Sequence, residues 1–241
     1  MKPKPISRRR KWLVAGGIVL LILAILSGAF FWYVSDYYRA EDTALAVMAQ
    51  DSSISVQDNL TILSPSHPTD TAIIFYPGAK VEAEAYLPLL EQIRQLGVTC
   101  ILVHMPFHMA IFDADAAEDV IAQFPEFQHW YIAGHSMGGA MASKFASDHP
   151  DLVAGLILMG AYIYGDYPAE KALTIYGSLN QSVEDHIDYT ENIVEIEGGN
   201  HAQFGNYGPQ KGDLPATITA VEQQKQTVEA VEAFLAQRTE G

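Results

Sequence analysis

The chain reads WYIAGHSMGGAMASKFAS over residues 130–147, and this stretch decides the fold. Residues 130–133 are apolar and largely aromatic, as in a buried strand, whereas residues 139–147 are small residues that suit a closely packed helix. Between them lies Gly134-His135-Ser136-Met137-Gly138, in which the glycines allow a sharp turn to close. A strand that turns directly into a helix indicates a parallel sheet covered by helices.

The same alternation of strand and helix continues on both sides of this turn. Apolar runs predict strands at residues 71–76, 98–104, 152–159, 172–176 and 193–196, and helical spacing predicts helices at residues 84–96, 114–123 and 217–237. Upstream, residues 40–50 are predicted to be helical, and two short runs at residues 53–57 and 60–63 predict a hairpin. The short connection before residue 172 has no room for a lid domain. We therefore expect one α/β domain with a mostly parallel sheet.

Charge is distributed unevenly along the chain. Six of the fourteen Lys and Arg residues lie within the first eleven positions, which leaves eight basic residues against 29 acidic ones in the remainder. A domain this acidic is repelled by phosphate backbones, so we predict no nucleic-acid partner.

Residues 12–34 form a stretch of 23 residues without a charged side chain, long enough to cross a hydrocarbon core of ~30 Å. The basic residues before it favour a cytoplasmic N-terminus, and Trp32, Tyr33, Tyr37 and Tyr38 suit the opposite interface. We therefore predict a single-pass anchor in the cell membrane with an extracellular domain. The alternative is a cleaved signal peptide, since Ser27-Gly28-Ala29 offers small residues for a peptidase.

Ser136 is predicted to be a nucleophile, because the turn lifts its hydroxyl above the sheet edge at the N-terminus of a helix. It needs a base, and His201 is the one of eight histidines that follows the last predicted strand. An oxyanion would require two backbone N–H groups. We expect one from Met137 and the other from Ala79 or Lys80, in the loop after residues 71–76.

The acid expected between Ser136 and His201 has no carboxylate at its usual place. The loop after residues 172–176 reads Gly177-Ser178-Leu179-Asn180-Gln181. Asn180 can orient His201 by a hydrogen bond, but an amide cannot stabilise the imidazolium by charge. The alternative partners lie shortly downstream and are Glu184, Asp185 and Asp188.

Four segments resemble a known family: Tyr76-Pro77-Gly78-Ala79-Lys80-Val81-Glu82, His104-Met105-Pro106-Phe107, Gly134-His135-Ser136-Met137-Gly138-Gly139 and Gly198-Gly199-Asn200-His201-Ala202-Gln203-Phe204-Gly205. The chain is similar over almost its whole length to bacterial membrane-anchored α/β-hydrolases related to dienelactone hydrolase. This resemblance implies an α/β-hydrolase fold. Members usually carry Gly-Ser-x-Asp, so it also implies that Asn180 occupies the acid's place and that catalysis is weakened or altered. Dienelactone hydrolase itself uses a cysteine nucleophile, so its lactone substrate is not carried over to a chain with Ser136.

These inferences predict a serine hydrolase that cleaves small carboxylic esters at the outer face of the membrane. No cofactor is expected, and no metal, because Pro106 between His104 and His108 prevents a helical ligand pair. The alternative is a catalytically weakened or non-catalytic α/β-hydrolase-fold binding protein. The predicted organisation is a basic cytoplasmic segment at residues 1–11, the anchor at 12–34, a juxtamembrane segment at 35–52 and the hydrolase domain at 53–241.

Overall fold

A computed structural model describes residues 8–239 of the chain. They divide into two compact units, one ending at Asp36 and the other beginning at Tyr37. Lys2 and Lys4 of the predicted basic segment lie outside the described residues.

The first unit is a single helix, α1 (Arg8–Ser35), which contains the predicted anchor at residues 12–34. Its side chains are largely apolar and exposed, with Leu20 and Leu21 as examples. Residues Lys11–Ser35, 25 in number, are long and apolar enough to cross a membrane. Among residues 8–239 no other helix meets that criterion.

The second unit is built on one sheet of eight strands among the described residues. The strands are β1 (Ile54–Gln57), β2 (Leu60–Leu63), β3 (Thr71–Tyr76), β4 (Thr99–Val103), β5 (His129–His135), β6 (Gly155–Met159), β7 (Ala172–Gly177) and β8 (Ile193–Ile196). Their spatial order is β1-β2-β4-β3-β5-β6-β7-β8. The β1–β2 hairpin pairs antiparallel with β4, and all later pairings are parallel. The predicted fold class is confirmed.

Helices cover both faces of this sheet. They are α2 (Asp42–Gln50), α3 (Leu87–Arg94), α4 (Ala116–Gln123), α5 (Met137–Asp148), α6 (Gln181–Glu184) and α7 (Ala220–Thr239). The helix predicted at residues 84–96 begins instead with a 3-10 turn at Ala83–Tyr86. The α-helix then starts at Leu87 with Pro88 in its first turn, the position in a helix where the missing N–H of proline costs least.

The strand β3 shows why its sequence is apolar throughout. Ile73 and Phe75 belong to the core that includes α3 and α7, whereas Ile74 and Tyr76 belong to the core that includes α4 and α5. Successive side chains of a strand point to opposite faces, so a strand covered on both sides has no polar face. Parallel strands of this kind place their carboxyl ends, and the loops that follow them, at one edge of the sheet.

The connection between β6 and β7 is short, as the sequence predicts. Its one regular element is a 3-10 turn at Ala169–Lys171, and the described residues contain no lid domain there. Among the described residues, loops and short helical turns therefore cover the carboxyl edge of the sheet in place of a lid domain.

Residues 37–41, here called the strap, lie across the loop that follows β3. The Tyr38 N–H donates to the Lys80 carbonyl at 2.7 Å, and the Glu82 N–H donates to the Tyr38 carbonyl at 2.8 Å. The Ala40 N–H donates to the Glu82 carboxylate at 2.8 Å. Residues 38 and 81 thus form an isolated parallel β-bridge, outside the eight strands, which holds the strap against this loop.

Candidate active site

Ser136 lies at the turn between β5 and α5, here called the elbow (residues 134–138). Its backbone has φ 54° and ψ −123°, a region that L-residues with a side chain rarely adopt. The turn places the side chain at the carboxyl edge of the sheet and before the first N–H groups of α5. This strained position is the geometry expected from the sequence.

The two glycines of the elbow are required because the backbone passes very close to its neighbours. A Cβ at Gly138 would lie 2.2 Å from the Tyr76 carbonyl oxygen, and one at Gly134 would lie 2.5 Å from the Gly138 carbonyl carbon. Both distances are far below van der Waals contact. Only glycine at these positions lets α5 start directly over the end of β3.

His201 follows β8 at the start of a 3-10 turn (Ala202–Phe204), where it is brought towards β7 by another close approach. A Cβ at Gly177, the last residue of β7, would lie 2.2 Å from the Gly199 carbonyl carbon. The Leu179 N–H donates to the Gly199 carbonyl at 3.0 Å. These contacts hold the loop of His201 against the loop after β7, here called the Asn180 loop (residues 177–181).

Asn180 is the side chain that contacts the His201 ring. Its amide nitrogen and His201 Nδ1 are 2.7 Å apart, and Asn180 is only 6% exposed. The three downstream carboxylates are all exposed, and they are Glu184, Asp185 and Asp188. The structure therefore brings together the serine turn, the histidine and the asparagine that the sequence singled out.

The Asn180 amide has two orientations that satisfy both of its neighbours, Ser182 and His201. In one orientation, Asn180 Nδ2 faces His201 Nδ1, and the Ser182 hydroxyl donates to Asn180 Oδ1 at 2.9 Å. In the reversed amide, Oδ1 accepts a hydrogen bond from the Nδ1–H of His201, and Nδ2 donates to the Ser182 hydroxyl. Only the reversed amide leaves His201 Nε2 unprotonated and able to take a proton from Ser136.

His135, which precedes the nucleophile candidate, is the centre of a buried network. Its Nδ1 is 2.7 Å from the Tyr86 hydroxyl, and its Nε2 is 2.9 Å from the His201 carbonyl oxygen. The Gly78 N–H donates to the Tyr86 hydroxyl at 3.1 Å. Complete burial holds the pKa of His135 well below the usual imidazole range, and the neighbouring His201 lowers it further. A neutral His135 thus links the loop after β3, the elbow and the backbone of His201.

The candidate oxyanion donors differ in whether their backbone N–H groups already form a hydrogen bond within the protein. The Lys80 N–H donates to the His108 carbonyl at 2.7 Å. Among residues 8–239, no hydrogen bond is formed by the N–H of Ala79. Met137 is the first residue of α5, where an N–H has no partner within the helix. The geometry therefore favours Ala79 over Lys80 as the second donor.

Ser136 and His201 line the same cavity, which has a volume of about 360 Å³. Its lining contains no Asp, Glu, Lys or Arg. One wall is formed by stacked rings of Tyr162 and His186, with centroids 4.8 Å apart. Gly160 keeps space open beside the histidine, because a Cβ there would lie 3.0 Å from His201 Nδ1. The cavity suits an uncharged group attached to the reacting carbonyl.

Burial also lowers the pKa of His201, so its imidazole is neutral near pH 7 and able to accept a proton. The Asp213 carboxylate opposes this shift and raises the pKa of His201. Within residues 8–239, no group of three His, Cys, Asp or Glu side chains is arranged to hold a metal. The His104 ring instead forms a 2.8 Å hydrogen bond with the Thr61 hydroxyl.

Several residues of this site have no signal in the sequence. Tyr86 lies in an unremarkable 3-10 turn, Gly160 ends a strand as many glycines do, and Asp213 lies in a loop rich in polar residues. Their contacts join positions far apart in the chain. The Gly177–Gly199 approach had one available signal, since both glycines stand beside the predicted site residues in sequence.

The fold and the site together define a class of protein. A mostly parallel sheet with a strand–serine–helix turn, and with a histidine after its last strand, is the arrangement of the α/β-hydrolases. A family model described as "Alpha/beta hydrolase family" matches residues 72–225. The chain belongs to the α/β hydrolase family.

Solved structures of similar fold include a serine hydrolase and a dienelactone hydrolase. Est1E from Butyrivibrio proteoclasticus is 16% identical, with a TM-score of 0.55 over 76% of this chain and 94% of that one. XC6422 from Xanthomonas campestris, described as a serine hydrolase without a lid, is 16% identical, with a TM-score of 0.52 over 73% and 88%. Dienelactone hydrolase from Anabaena variabilis is 15% identical, with a TM-score of 0.50 over 74% and 90%.

At these identities the likeness is one of fold, and it confirms the expected relation to the fold of dienelactone hydrolase. A search of curated proteins gives no significant match.

Proposed function

We propose that this protein is a serine hydrolase that cleaves carboxylic esters, with Ser136 as nucleophile and His201 as base. The observation that carries the proposal is the 2.7 Å contact between Asn180 and His201 Nδ1, beside a cavity that Ser136 also lines. A base held by its Nδ1 presents Nε2 to the nucleophile. The strained turn at Ser136 supports the same role, since such strain is characteristic of functional positions.

In the proposed reaction, Ser136 Oγ bonds to the ester carbonyl carbon while its proton passes to His201 Nε2. The backbone N–H groups of Met137 and Ala79 stabilise the oxyanion. The bond to the alcohol oxygen then breaks, and His201 returns its proton to the departing alcohol. Water attacks the acyl-enzyme with His201 again as base, which releases the acid and restores Ser136.

The proposed substrate is a small ester that is uncharged near its acyl carbon. The cavity has no charged Asp, Glu, Lys or Arg side chain to pair with an ionic group, and the whole chain carries a formal charge of −15. An anionic substrate or a nucleic acid would therefore be repelled by the negative charge of the chain. Est1E, one of the structural neighbours, has been crystallised with ferulic acid. An aromatic acyl group would also suit the ring pair of Tyr162 and His186 in this cavity.

The proposed location is the cell membrane, with α1 as a single-pass anchor and the hydrolase domain outside. The length and apolar character of residues Lys11–Ser35 support this proposal, as do the basic residues before them in the sequence. Protease added to intact cells should remove the domain, and sequencing of the mature N-terminus should still find residues 1–34. A new N-terminus near residue 29 would instead establish a cleaved signal peptide.

A fluorophosphonate probe tests the proposed chemistry on the full chain in detergent. Wild-type protein is expected to be labelled, Ser136→Ala is expected to remain unlabelled, and Ser55→Ala, at an exposed position of the edge strand β1, should label normally. Asn180 favours one second candidate, a binding protein of the same fold, because a neutral residue stands where the acid is expected. Wild-type protein that stays unlabelled at any pH would support that candidate and exclude the esterase.

A further inference from the structure

Asp213 lies in the loop between β8 and α7, behind the backbone of His201. Its Oδ1 accepts the His201 N–H at 3.2 Å, and its Oδ2 accepts the Ala202 N–H at 2.8 Å. Both oxygens are thus fixed on the first two N–H groups of the turn that carries the proposed base. Neither of the neighbouring loops places another carboxylate on this backbone within the described residues.

The position of Asp213 gives its charge an effect on His201. Asp213 is half-buried and borders a cavity of about 470 Å³ that is separate from the one lined by Ser136. Partial burial reduces screening by water, so the carboxylate still acts on the ring of His201, whose backbone N–H it accepts. The imidazolium of His201 is favoured by a nearby negative charge.

The other groups that face the His201 ring carry no negative charge. Asn180 is an amide, and His135, with its ring centroid 4.6 Å from that of His201, is held neutral by burial. His186 borders the same cavity and is an imidazole. Asp213 is therefore the carboxylate in the described residues whose charge acts on His201.

We propose that Asp213 is a positioning residue that partly replaces the missing acid: its charge stabilises protonated His201 through the backbone side rather than through Nδ1. This inference rests on the proposed serine-hydrolase function. In this proposal, two residues share the two roles that one acid has in a usual triad, which are to orient the histidine and to stabilise its charge. Asn180 orients the ring by a hydrogen bond, and Asp213 supplies the charge.

The test compares Asp213→Asn, which removes the charge and retains one acceptor oxygen, with Asp213→Glu, which retains the charge. The readouts are the NMR titration of the His201 ring in histidine-labelled full-length protein and the pH dependence of fluorophosphonate labelling. Asp151→Asn is the matched control, since it removes the same charge from an exposed position before β6, at the opposite edge of the sheet. The resonance is assigned by its loss in His201→Gln.

In Asp213→Asn, the His201 titration is expected to move to lower pH, and the labelling rate at its plateau should fall roughly three- to tenfold. Asp213→Glu should keep the wild-type midpoint, and Asp151→Asn should change neither readout. Asp213→Asn should also matter less in an Asn180→Asp background, because a closer carboxylate then dominates. An unchanged midpoint in Asp213→Asn would overturn the proposal, whatever happens to the rate. A shifted midpoint in protein that never labels would support the charge assignment and overturn the serine-hydrolase function.

Discussion

The elbow lines the cavity of Ser136, and the Asn180 loop contacts His201, which lines the same cavity, but different forces hold the two segments in place. At the elbow the backbone fixes the geometry: Gly134 and Gly138 allow contacts that no other residue could make, and Ser136 is held in a strained conformation. At the Asn180 loop a side-chain hydrogen bond between neutral groups fixes the geometry. A strained backbone tolerates almost no substitution, whereas a neutral hydrogen bond can be exchanged for a charged one. Substitutions in the elbow should therefore abolish activity, whereas a substitution in the Asn180 loop could increase it.

The largest expected effect is at the elbow. Ser136→Ala removes the proposed nucleophile and should lower kcat for a simple ester by roughly 10⁴-fold or more, since loss of any member of such a unit is severe. Steady-state hydrolysis measures the loss, and unchanged circular dichroism shows that the fold is retained. Full activity in Ser136→Ala would contradict this prediction and would show that the elbow has no catalytic role.

The Asn180 loop should respond in the opposite direction. Asn180→Asp gives His201 a charged partner at Nδ1, which fixes the productive tautomer and stabilises the imidazolium. We expect kcat to rise by roughly tenfold or more with KM nearly unchanged, since the gain arises in the transition state. Flat kcat in this variant, together with loss of activity in Asp185→Asn or Glu184→Gln, would show that the acid lies downstream.

The buried histidine of the elbow predicts a pH effect on stability. His135 is fully buried, and its pKa is held well below that of an exposed imidazole. Below the usual imidazole pKa, this side chain is therefore protonated in the unfolded chain and still neutral in the native one. Stability is therefore lost as pH falls below about 6.5, by up to about 1.4 kcal/mol per pH unit for this one group. Urea unfolding between pH 7 and pH 5 measures the slope.

His135→Gln should reduce that slope even if it lowers stability overall. The exposed histidine His129 gives the matched control, because His129→Gln removes an imidazole that is largely in water. Equal slopes in wild type and His135→Gln would show that another group causes the acid sensitivity.

The smallest expected effect concerns the orientation of the Asn180 amide. Ser182→Ala removes the hydroxyl that hydrogen-bonds to this amide in either orientation, so the amide should turn more freely away from the position in which Oδ1 faces His201 Nδ1, and kcat should fall by roughly two- to threefold. A carboxylate has two equivalent oxygens, so Ser182→Ala should have no such effect in the Asn180→Asp background. A double-mutant cycle on kcat provides the measurement, and equal losses in both backgrounds would contradict the role given to Ser182.

Features that depend on residues close together in the sequence could be predicted from it. The strands follow from apolar runs, the elbow follows from glycine spacing, and the position of His201 follows from its place after the last strand. Tyr86 and Asp213 were not predictable, because each acts through contacts with residues distant in sequence. The choice between Ala79 and Lys80 likewise depended on the His108 carbonyl, which is brought near only by folding.

The strap gives the domain an unusual mechanical property. Its backbone bonds to Lys80 and Glu82 hold the loop that contains Ala79, the proposed second oxyanion donor. A mechanical force applied to the chain at residue 37 would therefore act on these hydrogen bonds before it acted on the sheet. The loop after β3, which borders the proposed active site, would be the first element to be displaced. A fragment beginning at residue 53 would leave the Lys80 carbonyl and the Glu82 N–H without these partners, so activity should depend on residues that contact no substrate.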